Sequence, residues 1–250
     1  MRAPELAERL TAGSILVLPV GATEQHGPHL PFNTDSVVAE AVAAATVAEV
    51  GAEVDAWLLP TLTYSKSNEH AWSAGTFWLS ARTLLAVLED LGRCVAATAA
   101  KRLVFLNGHG GNSSLLNVAC RELRLQFGLR TFLAHPSVPP DQGGSSPSEE
   151  LGMGIHGGLE ETSIMLHLRP DLVHLDAGFR NVPEGLAENR YVRFGGAVSF
   201  GWLSNDFGPS GHIGDPTGAT AERGKARFEG AVRAFGEALH EVSRFDFGAR

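Results

Sequence analysis

The residues best suited to chemistry fall into four short stretches of this sequence. The first is GATEQHGPHLPFNTD, residues 21–35, which brings Glu24, His26, His29 and Asp35 into twelve residues. Carboxylate and imidazole together form a ligand set that suits zinc, manganese or iron. Glu24 and His26 stand two apart, so an extended backbone would point both side chains the same way. The glycines and prolines fix the loop and leave room for a closely approaching ion. His29 reads as a group behind the ligands or as a plain loop histidine. Taken alone, the stretch also reads as a polar surface loop with chance acids and histidines.

The second stretch is NGHGGN, residues 107–112. His109 sits where the chain turns sharply, and its flanking glycines let backbone amides approach a ligand. A phosphate-cradling loop at a helix N-terminus is the competing reading. The stretch lacks the lysine of a P-loop and the spacing of a dinucleotide fingerprint, and a phosphate loop has no need of the histidine. The third is HGGLEETS, residues 156–163, where His156 precedes a glycine pair and a helix start. Glu160 and Glu161 fit as first-turn acids favoured by the helix dipole. That reading weakens for Glu161 beside the other stretches, because three strand-end loops can converge on one edge of a sheet. The fourth is SKSNEHAWSAGT, residues 65–76, with Ser67, Glu69 and His70 ahead of Trp72. It reads as a surface turn, or as the wall of a substrate pocket or a partner contact.

The surrounding pattern supplies elements to position these loops. SILVLPV (14–20) and LVFL (103–106) are short apolar runs of the kind found in buried parallel strands, with further strands expected near 54–59 and 131–134. Helices are expected at 36–50 with Asn33, Thr34 or Asp35 as cap, at 81–99 capped by Ser80, from 112–114 onward, at 159–168 and at 219–242. Alternating strand, loop and helix indicates parallel βαβ units, hence an α/β fold of three layers. Residues 178–216 read as irregular. The Pro-, Gly- and Ser-rich segment at 136–155 is too long for a passive turn and reads as a mobile loop over the site.

Bulk properties bound the function. The chain has 250 residues, enough for a single domain over 1–250, and its 44% apolar and 19% charged composition excludes a mainly disordered chain. A net charge of -8 argues against a nucleic-acid partner. Basic residues do not cluster, which argues against an anionic membrane surface. No stretch approaches the roughly 18 apolar residues of a membrane span, and the N-terminus carries no signal-peptide pattern. Cys94 and Cys120 suggest buried thiols in a reducing compartment. A cytoplasmic enzyme fits all of this.

Taken together, the stretches resemble the creatininase family of metal-dependent amidohydrolases. The resemblance rests on TEQHGPHLPFNTD, SNEHAWSAGT, NGHGGN, the 156–163 segment and GHIGDPTGATAERG at 211–224, which occur in family order. It implies a three-layer αβα sandwich with a mostly parallel sheet. It also implies a binuclear centre of zinc or manganese, with iron possible, two ions per subunit. Glu24 and His109 would bind one metal, His26 the other, and Asp35 would bridge. Members that hydrolyse creatinine usually carry a second acid two residues after the loop histidine. Gly111 stands there in this sequence, which makes Glu161 the candidate carboxylate for the second metal. His156 matches the family's catalytic histidine and would shuttle a proton to the leaving nitrogen, with Glu161 beside it. Ser67, Glu69 and His70 are the substrate-binding candidates, and Glu69 and Glu160 could instead orient ligand histidines.

The activity implied is hydrolysis of a C–N amide bond other than a peptide bond, in a cyclic amide, a formamide or a similar small molecule. The family's creatinine site uses tryptophans on the loop before its catalytic histidine, and residues 136–154 contain none, which argues against creatinine itself. The alternatives are a peptidase that matures the mycofactocin precursor and a non-catalytic α/β ligand-binding protein using the glycine loops for phosphate. Ring-like hexamers occur in the family, so a homo-oligomer is implied.

Overall fold

The structure, a computed structural model, describes residues 2–138, 140 and 144–248. Four strands, β1 (Ile15–Val20), β2 (Ala56–Leu58), β3 (Arg102–Asn107) and β4 (Arg130–Ala134), form a parallel sheet in the order β2-β1-β3-β4. β1 and β3 are buried along their whole length, as central strands covered on both faces must be.

Strand alternation sorts the core into two faces. Leu16, Leu18, Leu103 and Phe105 point to one side, against Leu84, Leu88 and Val95 of α3 (Ala81–Ala96) and Leu116 and Leu123 of α4 (Ser113–Phe127). Ile15, Val17, Val104 and Leu106 point to the other, against Val42 and Ala43 of α2 (Thr34–Val54) and Val232, Phe235 and Leu239 of the long C-terminal helix Ala221–Arg244. The result is the expected three-layer αβα sandwich with a mostly parallel sheet. Of two further helices, α1 (Ala3–Arg9) sets Leu6 against the first of these clusters and the short α6 (Glu184–Ala187) sets Leu186 and Ala187 against Met153 and Ile213, while α5 (Leu159–Leu168) packs on the C-terminal helix, α7. The α5–α7 approach is close enough that a Cβ on Gly224 would lie 1.8 Å from the Ser163 carbonyl oxygen.

Several expectations need adjustment. Asp35 is no cap: α2 begins at Thr34, and Asn33, at the cap position, makes no side-chain cap bond. β2 is shorter than 54–59 because Val54 completes α2 and Asp55 ends it in a left-handed conformation. Ser80 does cap α3, its Oγ accepting from the Thr83 amide. The buried-thiol reading fails for Cys94, which is exposed, and Cys120 is only half-buried. Residues 178–216 are irregular apart from α6 and short 3-10 turns. Of the segment 136–155, residues 139 and 141–143 lie outside the described residues. Among the described residues no helix is long and apolar enough to cross a membrane.

The register pairs Val20 with Asn107, so the loops leaving β1 and β3 emerge side by side at the carboxyl edge of the sheet. Ligands of open α/β sheets bind at this edge.

Candidate metal centre

Asp35 enters from the first turn of α2, and Glu24 and His26 from the loop after β1. His109 comes from the sharp turn after β3, and His156 and Glu161 come from the loop and first turn of α5. All six meet. His109 Nδ1 lies 3.3 Å from Glu24 Oε1 and 3.2 Å from Asp35 Oδ2. His26 Nε2 lies 3.1 Å from Asp35 Oδ1 and 3.7 Å from Glu161 Oε1. His156 Nδ1 lies 3.6 Å from Glu24 Oε1. Asp35 thus turns one carboxylate oxygen to His26 and the other to His109. Glu161 also accepts from the Gly157 amide at 2.6 Å through Oε2, which ties the helix start to its own preceding loop.

The hydrogen bonds around the imidazoles decide which nitrogen faces inward. His26 Nδ1 donates to the Glu24 carbonyl at 3.0 Å, His109 Nε2 to the Lys66 carbonyl at 3.1 Å, and His156 Nε2 to the Gln25 carbonyl at 2.6 Å. Each ring therefore turns its other nitrogen toward the carboxylates, the position from which a deprotonated imidazole binds a metal. His70 is set the other way. The Gln25 side-chain amide, oriented by the Gly27 N–H on its oxygen at 2.8 Å, donates to His70 Nδ1 at 2.8 Å and to the Gly211 carbonyl at 3.0 Å. That leaves His70 Nε2 as the protonated nitrogen, 3.4 Å from Glu24 Oε1. With both amide hydrogens used, the 3.1 Å approach of Gln25 Nε2 to His156 Nε2 is a packing contact.

Among the described residues neither Glu24 oxygen accepts a hydrogen bond, and nor does Asp35 Oδ2, although all three atoms are buried. Buried carboxylate oxygens without donors are costly unless a cation completes them. The donor set of carboxylates and imidazole lone pairs fits zinc or manganese. Ligand atoms of Glu24, Asp35 and His109 lie within 4.8 Å of one another, as do those of His26, His156 and Glu161, and those of Glu24, His70 and His156.

Burial opposes charge on every ring here, and neighbours decide the outcome. For His26 burial is outweighed by Asp35 and Glu161, and for His109 by Glu24, Asp35 and Glu69, so both stand well above the usual imidazole value. His156 is held well below it by burial and by His70 and His26. The Asp35 carboxyl lies well below its usual value because His26 and His109 overcome its burial.

Among the described residues two openings border the cluster. A cavity of about 150 Å³ is lined by Asp35, His109, His156 and Glu161 together with Ser145, Pro147 and Glu150 of the 136–155 segment. A wider cleft of about 590 Å³ is lined by Gln25, His26, Trp72 and Phe179. Ser67, Glu69 and His70 line neither. Ser67 is buried with its hydroxyl unpartnered, and Glu69 and His70 face inward toward the histidines. His29 stands behind the ligands, its Nε2 2.9 Å from the Gly157 carbonyl; burial and the nearby His212 push its pKa down to about 4. Glu160 turns away to Arg223 and Arg227. Gln25 was not singled out in the sequence, and an amide between two acids and histidines carries no type signal of its own.

The sequence profile of creatininase, described as creatinine amidohydrolase, matches residues 1–239. The chain belongs to the creatininase family. Among curated creatininase-family relatives, a mycofactocin precursor peptide peptidase of Mycobacterium ulcerans is 37% identical over 219 residues, covering 85% of this chain and 79% of its own. A creatinine amidohydrolase of Pseudomonas putida is 38% identical over 192 residues, covering 69% and 71%. Of solved structures, one of creatininase with manganese superimposes with a TM-score of 0.74 at 28% identity, covering 96% of both chains.

Proposed function

We propose that this chain hydrolyses a C–N amide bond with water at a centre of two divalent ions, zinc or manganese. The observation that carries the reading is the buried meeting of Glu24, Asp35 and His109 beside His26 and Glu161, with carboxylate oxygens that no hydrogen bond satisfies. Glu24, Asp35 and His109 would hold one ion, and His26, Asp35 and Glu161 the other. Such ions, when bound, lower the pKa of water from 15.7 to roughly 7 and polarise a carbonyl.

The remaining work belongs to the protein. His156, whose neutral form is favoured by burial and by His70 and His26, would take a proton from the attacking water at Nδ1 and pass it to the leaving nitrogen. The Gln25 carbonyl fixes that ring by binding Nε2–H. Residues of the 136–155 segment border the smaller opening and would restrict the entry of water and substrate.

A short peptide is the favoured substrate over a cyclic amide or formamide. The relative named as a precursor-peptide peptidase matches over 85% of this chain, against 69% for the creatinine amidohydrolase. Creatinine is disfavoured by the absence of tryptophan from residues 136–154. Exposed Tyr64, Trp72, Phe77 and Trp78 suit a homo-oligomer, a hexamer by family likeness, and the reading places the enzyme in the cytoplasm.

The test is metal analysis of the purified protein followed by assay of a panel of short peptides, formamides and cyclic amides. Two ions per subunit and metal-dependent release of an amine from one panel class are expected. A protein that takes up neither zinc nor manganese would sink the proposal.

A further inference from the structure

Glu69 sits in the short turn Asn68–His70, a separate part of the chain from any of the ligand loops. The turn is anchored from outside: Ser204 donates to the Glu69 carbonyl at 3.2 Å and accepts from Trp72 Nε1 at 2.7 Å. The anchoring delivers the Glu69 carboxylate into a buried position, with Oε1 3.3 Å from His109 Nε2 and Oε2 2.6 Å from Lys66 Nζ. His109 Nε2–H is thus shared between this carboxylate and the Lys66 carbonyl, while Nδ1 faces Glu24 and Asp35. A carboxylate on the outer nitrogen of a ligand imidazole fixes the ring and raises the basicity of its inner nitrogen.

The same carboxylate explains the residue two places after His109. A Cβ built on Gly111 would lie 1.9 Å from Glu69 Oε1 and 2.4 Å from His109 Nε2. Gly111 has an ordinary backbone conformation, so conformational freedom is not the reason for a glycine here.

We infer that Glu69 is the positioning residue for His109, and that position 111 is glycine because the Glu69 carboxylate and the His109 ring it holds together occupy the space a side chain there would need. The inference rests on the two-metal reading, and it assigns to the 65–76 loop a share in metal retention rather than in contact with substrate. Lys66 neutralises the far oxygen and leaves the near one for His109.

The test measures zinc dissociation constants of the full chain by competition with a chelating dye, beside the melting temperature of the metal-stripped protein. Glu69→Gln keeps size and an acceptor oxygen but removes the charge; it weakens zinc binding on the order of 10-fold, so the melting temperature falls further in the zinc-loaded protein than in the metal-free one. Gly111→Ala, which pushes Glu69 off the ring, weakens zinc to a similar degree. In a Glu69→Ala background the same Gly111→Ala change costs less than in the parent chain, since only its contact with the His109 ring remains. Lys66→Met gives a smaller loss than Glu69→Gln. Wild-type zinc affinity in Glu69→Gln overturns the inference, as does a Gly111→Ala penalty that adds in full to that of Glu69→Ala. A wild-type protein that binds no zinc defeats the two-metal reading itself, so the two failures are distinct. Should Glu69→Ala not fold, the isosteric Glu69→Gln decides alone.

Discussion

Glu160 and Glu161 are neighbours in the first turn of α5, yet they belong to two opposite electrostatic regions. Glu160 faces α7, where Arg223 Nη2 meets it at 2.5 Å and Arg227 Nε at 2.7 Å. Glu161 faces the sheet edge, where its partners are a backbone amide and His26. In the first region Glu160 is held by two guanidinium groups. In the second, Glu24, Asp35 and Glu161 gather with the inner nitrogens of His26, His109 and His156, so protons on the rings and a metal ion compete to balance the negative charge. The contrast separates a structural ion-pair cluster from a ligand site more firmly than any count of charged residues.

The contrast is broken most severely at Asp35. Asp35→Ala is expected to lose both ions and all activity above background, measured by mass-spectrometric metal analysis beside the amide assay; full occupancy would contradict the bridging role. Next in size is His156→Ala. It keeps its metal and loses about 10²–10⁴-fold in kcat, the usual range for one acid–base group. Loss of metal in that variant would recast His156 as a ligand, a role its closeness to His26 and Glu161 also permits.

Proton linkage gives a third, intermediate effect. The raised pKa values of His26 and His109 mean that both rings are charged in the metal-free protein at neutral pH. Metal must displace those protons, so zinc affinity rises with pH and binding releases protons, readable by calorimetry in buffers of different ionisation heat. The stability contribution of the two rings has the opposite slope. With folded values above the unfolded one, it is complete below about 6.5 and is lost as pH rises through the folded values. Metal-stripped protein should therefore melt lower at alkaline pH while loaded protein does not; a metal-free melting temperature that climbs with pH would refute this.

The smallest effect comes from the other region. Glu160→Gln or Arg227→Ala should cost about 1 kcal/mol or less, since these pairs are partly solvent-screened, and should leave metal content intact. A loss of metal from either variant would show that the two regions are coupled.

Much of this was legible because strand-end loops write their chemistry locally. β1 and β3 stand out as continuous apolar runs, and the ligand-bearing loops follow them directly. His156 and Glu161 lie five apart in a recognisable helix start. The helix cap at Ser80 was legible for the same reason, a contact over three residues. The exposed face of Cys94 was not, because which side of an amphipathic helix meets solvent depends on its packing partner.

By itself the sequence determined the three-layer architecture, the side-chain types that meet at the sheet edge and the family, since alternation, apolar runs and loop motifs act over a few residues. Only the tertiary structure decided which imidazole nitrogen faces inward, which of two adjacent glutamates joins the site, and why residue 111 lacks a side chain. Those answers depend on groups far apart in the chain: Gln25 against His70, Arg223 against Glu160, Glu69 against His109. Hydrogen-bond direction and excluded volume are properties of atoms brought within a few ångströms, and no spacing along the chain encodes them.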